Sequence, residues 1–404
     1  MAEPNPQSEH DKINKNLISK EVMRGFLKHL SNEHTLVCPV DTGKVIEYRE
    51  IKNSDDSAVE PAAEVITSGK VTSGENIAVD EQILTDDRIS YNSFKTFYFP
   101  QTELMFTFKN EDIIDNTDIP GFVIFGARPC DLEALRVMNI VYTSGKYADP
   151  FFQRRFDANF LIGVGCKNKK SECFCDEMKI NKDYSDFCDI MLTDNGENYT
   201  IVHLSEKGRN ALKEYAETSE FAYTHVSEYV CKFTNEHDKN HTCENTCENN
   251  RKPADACEDN PENNQKPVTM NKDKLMLDVN KDDTDYFDII DWAKVTATCK
   301  GCGICTYICP TCYCFDFKDV SKKGEAKRYK CWDSCMYPKF TLHASGHNPR
   351  EKRYERYRQR VLHKYKYVPD NFSGAVACTG CGRCVRGCPV GINIKNIVKM
   401  INNS

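Results

Sequence analysis

The 404-residue chain has room for two or three domains of ordinary size, and its net charge is −7. Its 22 cysteines would suggest a disulfide scaffold in a secreted protein, but the polar N-terminus (MAEPNPQSEHDKINKN) has no signal-peptide core. No apolar run approaches the roughly 18 residues of a membrane helix, so the expectation is a soluble cytoplasmic chain with reduced thiols, of the kind an anaerobe makes.

Residues 1–16 read as a disordered tail, and 17–230 as an α/β domain with a mainly parallel sheet. Within it, 35–40 and 44–51 have strand character, and the aromatic FKTFYF at 94–99 reads as a strand or extended packed segment before Pro100. The stretch 121–166 is more specific. Phe122 to Phe125 is a short buried strand, Asp131 to Ile140 has helical spacing, and Phe160 to Val164 is a second apolar strand. Together they predict a βαβ unit. Cys130 follows the first strand and Cys166 the second, so both thiols belong at the carboxyl edge of the sheet, where open α/β sheets place ligands. Asp131 is placed to cap the helix that starts beside Cys130. Residues 231–283 are rich in Asn, Asp, Glu and Lys and read as a linker or insertion. Their His237, His241, Cys243, Cys247 and Cys257 match no standard zinc spacing.

Residues 284–404 carry the strongest signal. Cys299, Cys302, Cys305, Cys309 and Pro310 spell C-x2-C-x2-C-x3-C-P, and Cys378, Cys381, Cys384, Cys388 and Pro389 repeat it. This is the spacing of two-cluster bacterial ferredoxins, in which three thiolates of a run hold one [4Fe–4S] cube and the fourth crosses to the other. The rule assigns Cys299, Cys302, Cys305 and Cys388 to one cluster, and Cys378, Cys381, Cys384 and Cys309 to a second. The fold class is thus an α/β domain followed by an α+β ferredoxin module. A short helix over 286–295 leads into the first run, and a capping helix over 392–401 ends the chain. Between the runs lies a 68-residue insertion, read as helical over 318–372, with Asn348 as N-cap and Pro349 at N1 of its last helix. From Lys318 to Tyr367 there are 15 Lys and Arg against 5 Asp and Glu. A basic helix over 350–366 leaves open an alternative: an iron–sulfur or zinc regulator that binds nucleic acid.

Cys166, Cys173 and Cys175 form C-x6-C-x-C. With Cys130 they suffice for a third cluster, or are small buried hydrophobes. Cys312, Cys314, Cys331 and Cys335 form a further group, either metal-binding or packed around the first cluster, and Cys38 and Cys188 read as structural.

The segments FKTFYFP, GARPCDLEAL, YADPFFQRR, LIGVGCKNKKSECFC, CPTCYCFD, WDSCMYPKF and ASGHNPREKRYERYRQRVLHK, with the two cysteine runs, resemble one family. It comprises the β subunits of sulfhydrogenase-type nickel–iron hydrogenases and the iron–sulfur electron-transfer subunit of anaerobic sulfite reductase. The resemblance implies that Cys130, Cys166, Cys173 and Cys175 bind a third [4Fe–4S] cluster. It also implies an electron-transfer subunit of a soluble oxidoreductase complex, between an NAD(P)H-linked flavin subunit and a terminal catalytic subunit of hydrogenase, sulfite reductase or heterodisulfide reductase type. The chain shows no glycine-rich dinucleotide fingerprint, no flavin motif and no terminal nickel-binding cysteine pair, so the expectation is a non-catalytic relay that binds neither nucleic acid nor membrane.

Overall fold

The computed structural model describes residues 17–51, 89–110, 112–115, 119, 121–218, 222, 226, 274–278, 281–322 and 324–404. The tail 1–16, most of the insertion at 231–283, and the histidines and cysteines of that insertion lie outside the described residues. Among the described residues no helix is long and apolar enough to cross a membrane.

The first half begins with β1 (Leu17–Ser19), α1 (Lys20–Leu30), β2 (Thr35–Asp41) and β3 (Ile46–Ile51). Next come β4 (Thr102–Lys109), β5 (Asp112–Asp115), β6 (Phe122–Ala127), α2 (Pro129–Thr143), α3 (Pro150–Ala158) and β7 (Phe160–Val164). It closes with β8 (Ile190–Asp194), β9 (Asn198–Leu204) and α4 (Glu206–Ala216). Seven strands form one sheet in the order β1-β9-β8-β7-β6-β2-β3. Its centre, β2, β6, β7 and β8, is parallel, and β6-α2-α3-β7 is the predicted crossover. The sheet is mixed rather than mainly parallel, because β3, β9 and β1 add antiparallel at its edges. Neighbouring antiparallel strands need only short turns, so edge hairpins extend a parallel centre without further crossover helices. One face packs α1 and α4 around Phe26, Leu27, Phe125 and Leu212. The other packs α2 and the aromatic residues 94–99.

That aromatic stretch is not a strand. Phe94–Phe97 is one 3-10 turn, capped by the Ser93 hydroxyl, which accepts from the Lys95 N–H. Phe94, Phe97, Tyr98 and Phe99 are all buried, so packing of four rings on the sheet overrides their strand propensity.

The second half contains α5 (Trp292–Val295), α6 (Ile304–Tyr307), β10 (Phe315–Lys322), β11 (Glu325–Trp332) and α7 (Arg353–Leu362). A π turn at His363–Tyr367 then leads into α8 (Val368–Asn371), α9 (Arg383–Arg386) and α10 (Ile394–Asn402). Two expectations are corrected. The inter-run insertion starts as a hairpin, not a helix, and its last helix begins at Arg353, with Lys352 rather than Asn348 as N-cap. Asn348 instead accepts from the Arg350 N–H and the Thr341 hydroxyl in the preceding turn. The hairpin adds to the first half of the chain, giving an antiparallel sheet in the order β10-β11-β4-β5. Trp332 at its base stacks on Phe99, and its indole N–H donates to the Phe99 carbonyl. The buried Lys330 ammonium lies 2.7 Å from the Glu103 carboxylate, tying β11 to β4.

Candidate metal centres

The two cysteine runs have matching backbones. Each bends at a left-handed glycine, Gly303 at φ 77° and Gly382 at φ 73°, which caps the short helices α6 and α9. Two cavities lie against them. The first is lined by Cys299, Cys302, Cys305 and Cys388. The second is lined by Cys309, Cys378, Cys381 and Cys384. These are the two quartets of the crossover rule, with Cys388 delivered to the first run's cavity and Cys309 to the second's. Cys384 also lines the first cavity, so the two share a wall. Among the described residues no three of His, Cys, Asp or Glu converge on a single ion.

The linings suit an anionic group. Neither contains a carboxylate, and the Arg360 guanidinium borders both. Lys364, re-aimed by the π turn, donates to Cys309 Sγ at 3.3 Å, to the Thr311 hydroxyl at 3.0 Å and to the Ala377 carbonyl at 3.1 Å. Burial opposes the Lys364 charge, but the sulfurs of Cys309 and Cys312 outweigh it and raise its pKa. Burial pushes the Cys305 thiol up to about 11 and Cys381 up to about 12, so thiolates here need compensating positive charge. Arg360 Nε and Thr379 Oγ1 are buried with no hydrogen-bond partner. An unsatisfied buried polar group costs about 1–3 kcal/mol, and bound sulfide would supply the missing acceptors. The residues present therefore fit [4Fe–4S] clusters.

The four N-terminal cysteines also come together. Cys130 lies in the first turn of α2 and Cys166 just beyond β7, both at the carboxyl edge of the sheet. Cys130 interacts electrostatically with Cys173 and with Cys381 of the second quartet, and Cys175 with Cys173 and Cys166. Their loop rests directly on the second run: Phe174 N–H donates to the Gly380 carbonyl at 2.8 Å, and Cys173 Sγ to the Cys381 carbonyl at 3.4 Å. A Cβ on Gly382 would come within 2.7 Å of the Glu172 carbonyl, so only glycine permits this approach.

Asp131 does not cap its helix. Its carboxylate is fully buried and receives Arg383 Nη1 at 2.5 Å and Nη2 at 2.7 Å, while Arg383 Nε donates to the Ser90 carbonyl at 3.0 Å. Sequence reasoning missed Arg383, because an arginine inside a cysteine run carries no distinguishing signal. Lys364 and Arg360 were visible only as part of a basic stretch. Arg356, Arg360, Lys364 and Lys366 are buried, so much of that stretch faces inward instead of forming an exposed positive stripe.

The remaining cysteines divide by position. Cys38 and Cys188 are buried, one in each core of the first half. Cys312 interacts electrostatically with Cys309, and Cys314 with Cys335. Cys331 pairs with Asp316 and Thr102 across the sheet, next to the inward-facing Trp332, and so points to the opposite face.

Residues 298–392 match the family model of the 4Fe-4S dicluster domain. The chain is similar to sulfhydrogenase 2 subunit beta of Pyrococcus furiosus, with 28% identity over 307 residues, covering 74% of this chain and 79% of that protein. No solved structure matches. The dicluster domain and an identity that runs over most of both chains support a resemblance to the iron–sulfur subunits of sulfhydrogenase β type.

Proposed function

We propose that this chain is the electron relay of a multi-subunit oxidoreductase and carries three [4Fe–4S] clusters. Their ligands are Cys299, Cys302, Cys305 and Cys388; Cys378, Cys381, Cys384 and Cys309; and Cys130, Cys166, Cys173 and Cys175. The relay runs between a flavin subunit that handles NAD(P)H and a subunit that performs the terminal reduction. The observation that carries this reading is the pair of adjoining cavities, each walled by one crossover quartet.

Bound clusters supply one-electron transfer at potentials set by charge, hydrogen bonding and exposure. The chain itself holds the thiolates, offsets their charge and fixes the spacing of the sites. Cys384 joins the first two quartets, and the Cys173–Cys381 contact joins the second to the third. Cys302 is exposed, which gives the first quartet an outlet to a partner surface, while the loop of Cys166, Cys173 and Cys175 serves the other end.

Anaerobically purified protein is expected to hold about 12 iron and 12 sulfide per chain, since each cube contributes four of each. Cys302→Ser is expected to convert or remove one cluster, seen as an altered EPR signal and an iron content lower by one to four. Full iron content with an unchanged spectrum in that variant would refute the assignment of the first quartet.

A further inference from the structure

Three thiols next to the second quartet are left without a role: Cys312, Cys314 and Cys335. They do not make a fourth cubic site. Cys331 points to the other face of the hairpin, which leaves three thiols for four irons, and Cys312 already touches the quartet residue Cys309. Cys314 and Cys335 instead face each other. Each thiol acts electrostatically on the other, and the backbone bond between Asp333 N–H and the Cys314 carbonyl brings their two segments together.

The pair is held from both sides. The Asp333 N–H donates to the Cys314 carbonyl at 2.9 Å, fixing the start of the hairpin against its end. Beside Cys335, the Ser334 hydroxyl lies 2.8 Å from that of Thr306, and Arg356 Nε donates to the Met336 carbonyl at 3.0 Å. Two buried ammonium groups flank the thiols. Lys95 Nζ donates to the Cys312 carbonyl at 3.0 Å and lies 3.9 Å from the Trp332 ring centroid; Lys364 bridges to Cys309. Both cysteines are part-exposed rather than sealed in the core. The Cys335 thiol, aided by Lys364 and Lys95, brings the Cys314 thiol down to about 7, into the range of reactive cysteines.

We propose that Cys314 and Cys335 form a redox-active dithiol that exchanges two electrons with the adjacent iron–sulfur clusters. On oxidation the two S–H bonds break and one S–S bond forms. Two protons leave to solvent, and two electrons pass one at a time to two oxidised [4Fe–4S] clusters, each of which is reduced by one electron. Reduction reverses each change. This places a two-electron couple against one-electron carriers, and it rests on the assignment of the second quartet.

The test uses the full-length holoprotein, equilibrated anaerobically in redox buffers, alkylated and digested for mass spectrometry. The expected result is a Cys314–Cys335 cross-linked peptide at high potential that disappears at low potential with a two-electron slope, about 30 mV per tenfold change. Cys331 should stay alkylated throughout. Cys335→Ser should abolish the cross-link and leave Cys314 alkylated at every potential, with iron unchanged. Full alkylation of Cys314 and Cys335 in the wild-type protein across the titration would overturn the proposal. So would a loss of about four iron per chain in Cys335→Ser, which would make the residue a cluster ligand. The iron content of the wild-type protein reports separately on the quartets, so failure of the dithiol is distinct from failure of the relay.

Discussion

Lys364 is the residue whose removal should speak most directly to electron transfer. Its ammonium donates to Cys309 Sγ from a fully buried position, and such a donor favours the reduced, more negative cluster over the oxidised one. A hydrogen bond to a charged group is worth about 1.5–3 kcal/mol. At about 59 mV per tenfold for a one-electron couple, Lys364→Met should lower the second cluster's midpoint by roughly 60–130 mV. Redox titration followed by EPR checks this, with iron content as the control that the cluster is still bound. An unchanged midpoint at full iron would remove Lys364 from the tuning of the site. The cysteines themselves were legible in the sequence because a cube needs several thiolates from one short loop, and that demand leaves a fixed spacing. The cations were not. A lysine on a basic helix reads the same whether it meets water or sulfur, and the π turn that carries Lys364 leaves no mark in local composition.

Among the elements, α2 and α9 are joined by the Arg383–Asp131 pair, in which both side chains are fully buried. Arg383→Met leaves the Asp131 carboxylate buried without its partner, a change that costs about 3–5 kcal/mol. The expected outcome is a markedly lower denaturation midpoint. Adding Asp131→Leu should recover much of the loss, because it removes the stranded charge. If the double variant is no more stable than Arg383→Met alone, the ion pair is not the source of the defect. The crossover β6-α2-α3-β7 was readable from continuous apolar strands and helical spacing, since both faces of a parallel centre must be covered. The hairpin β10–β11 was not. Half of its residues are charged and β10 is exposed, and the hairpin exists because β4, more than 200 residues earlier, offers an open strand edge. Local composition cannot report a partner so far away.

For the molecule as a whole, strand pairing, the Trp332 indole and the Arg383–Asp131 pair tie residues 284–404 to the first half. A fragment spanning 284–404 would expose Trp332, strand β11 and Arg383, all of which are covered or paired by the first half. Expressed alone, it should hold well under the roughly 8 iron of two clusters and should aggregate. Iron analysis and light scattering decide the matter, and a monomeric fragment with its full iron complement would contradict it. The strand pairing between β4 and β11 also bears on how the protein is made. Every backbone bond between these strands closes a loop of over 200 residues, the kind of non-local contact that slows folding. While the chain is emerging from the ribosome, β4 has no partner on its β11 side, and Cys309 cannot meet the second run until Cys384 has been synthesised. The second quartet is therefore complete only after translation has passed both runs. Until then the edge of β4 is open on its β11 side and Cys309 lacks its three companions.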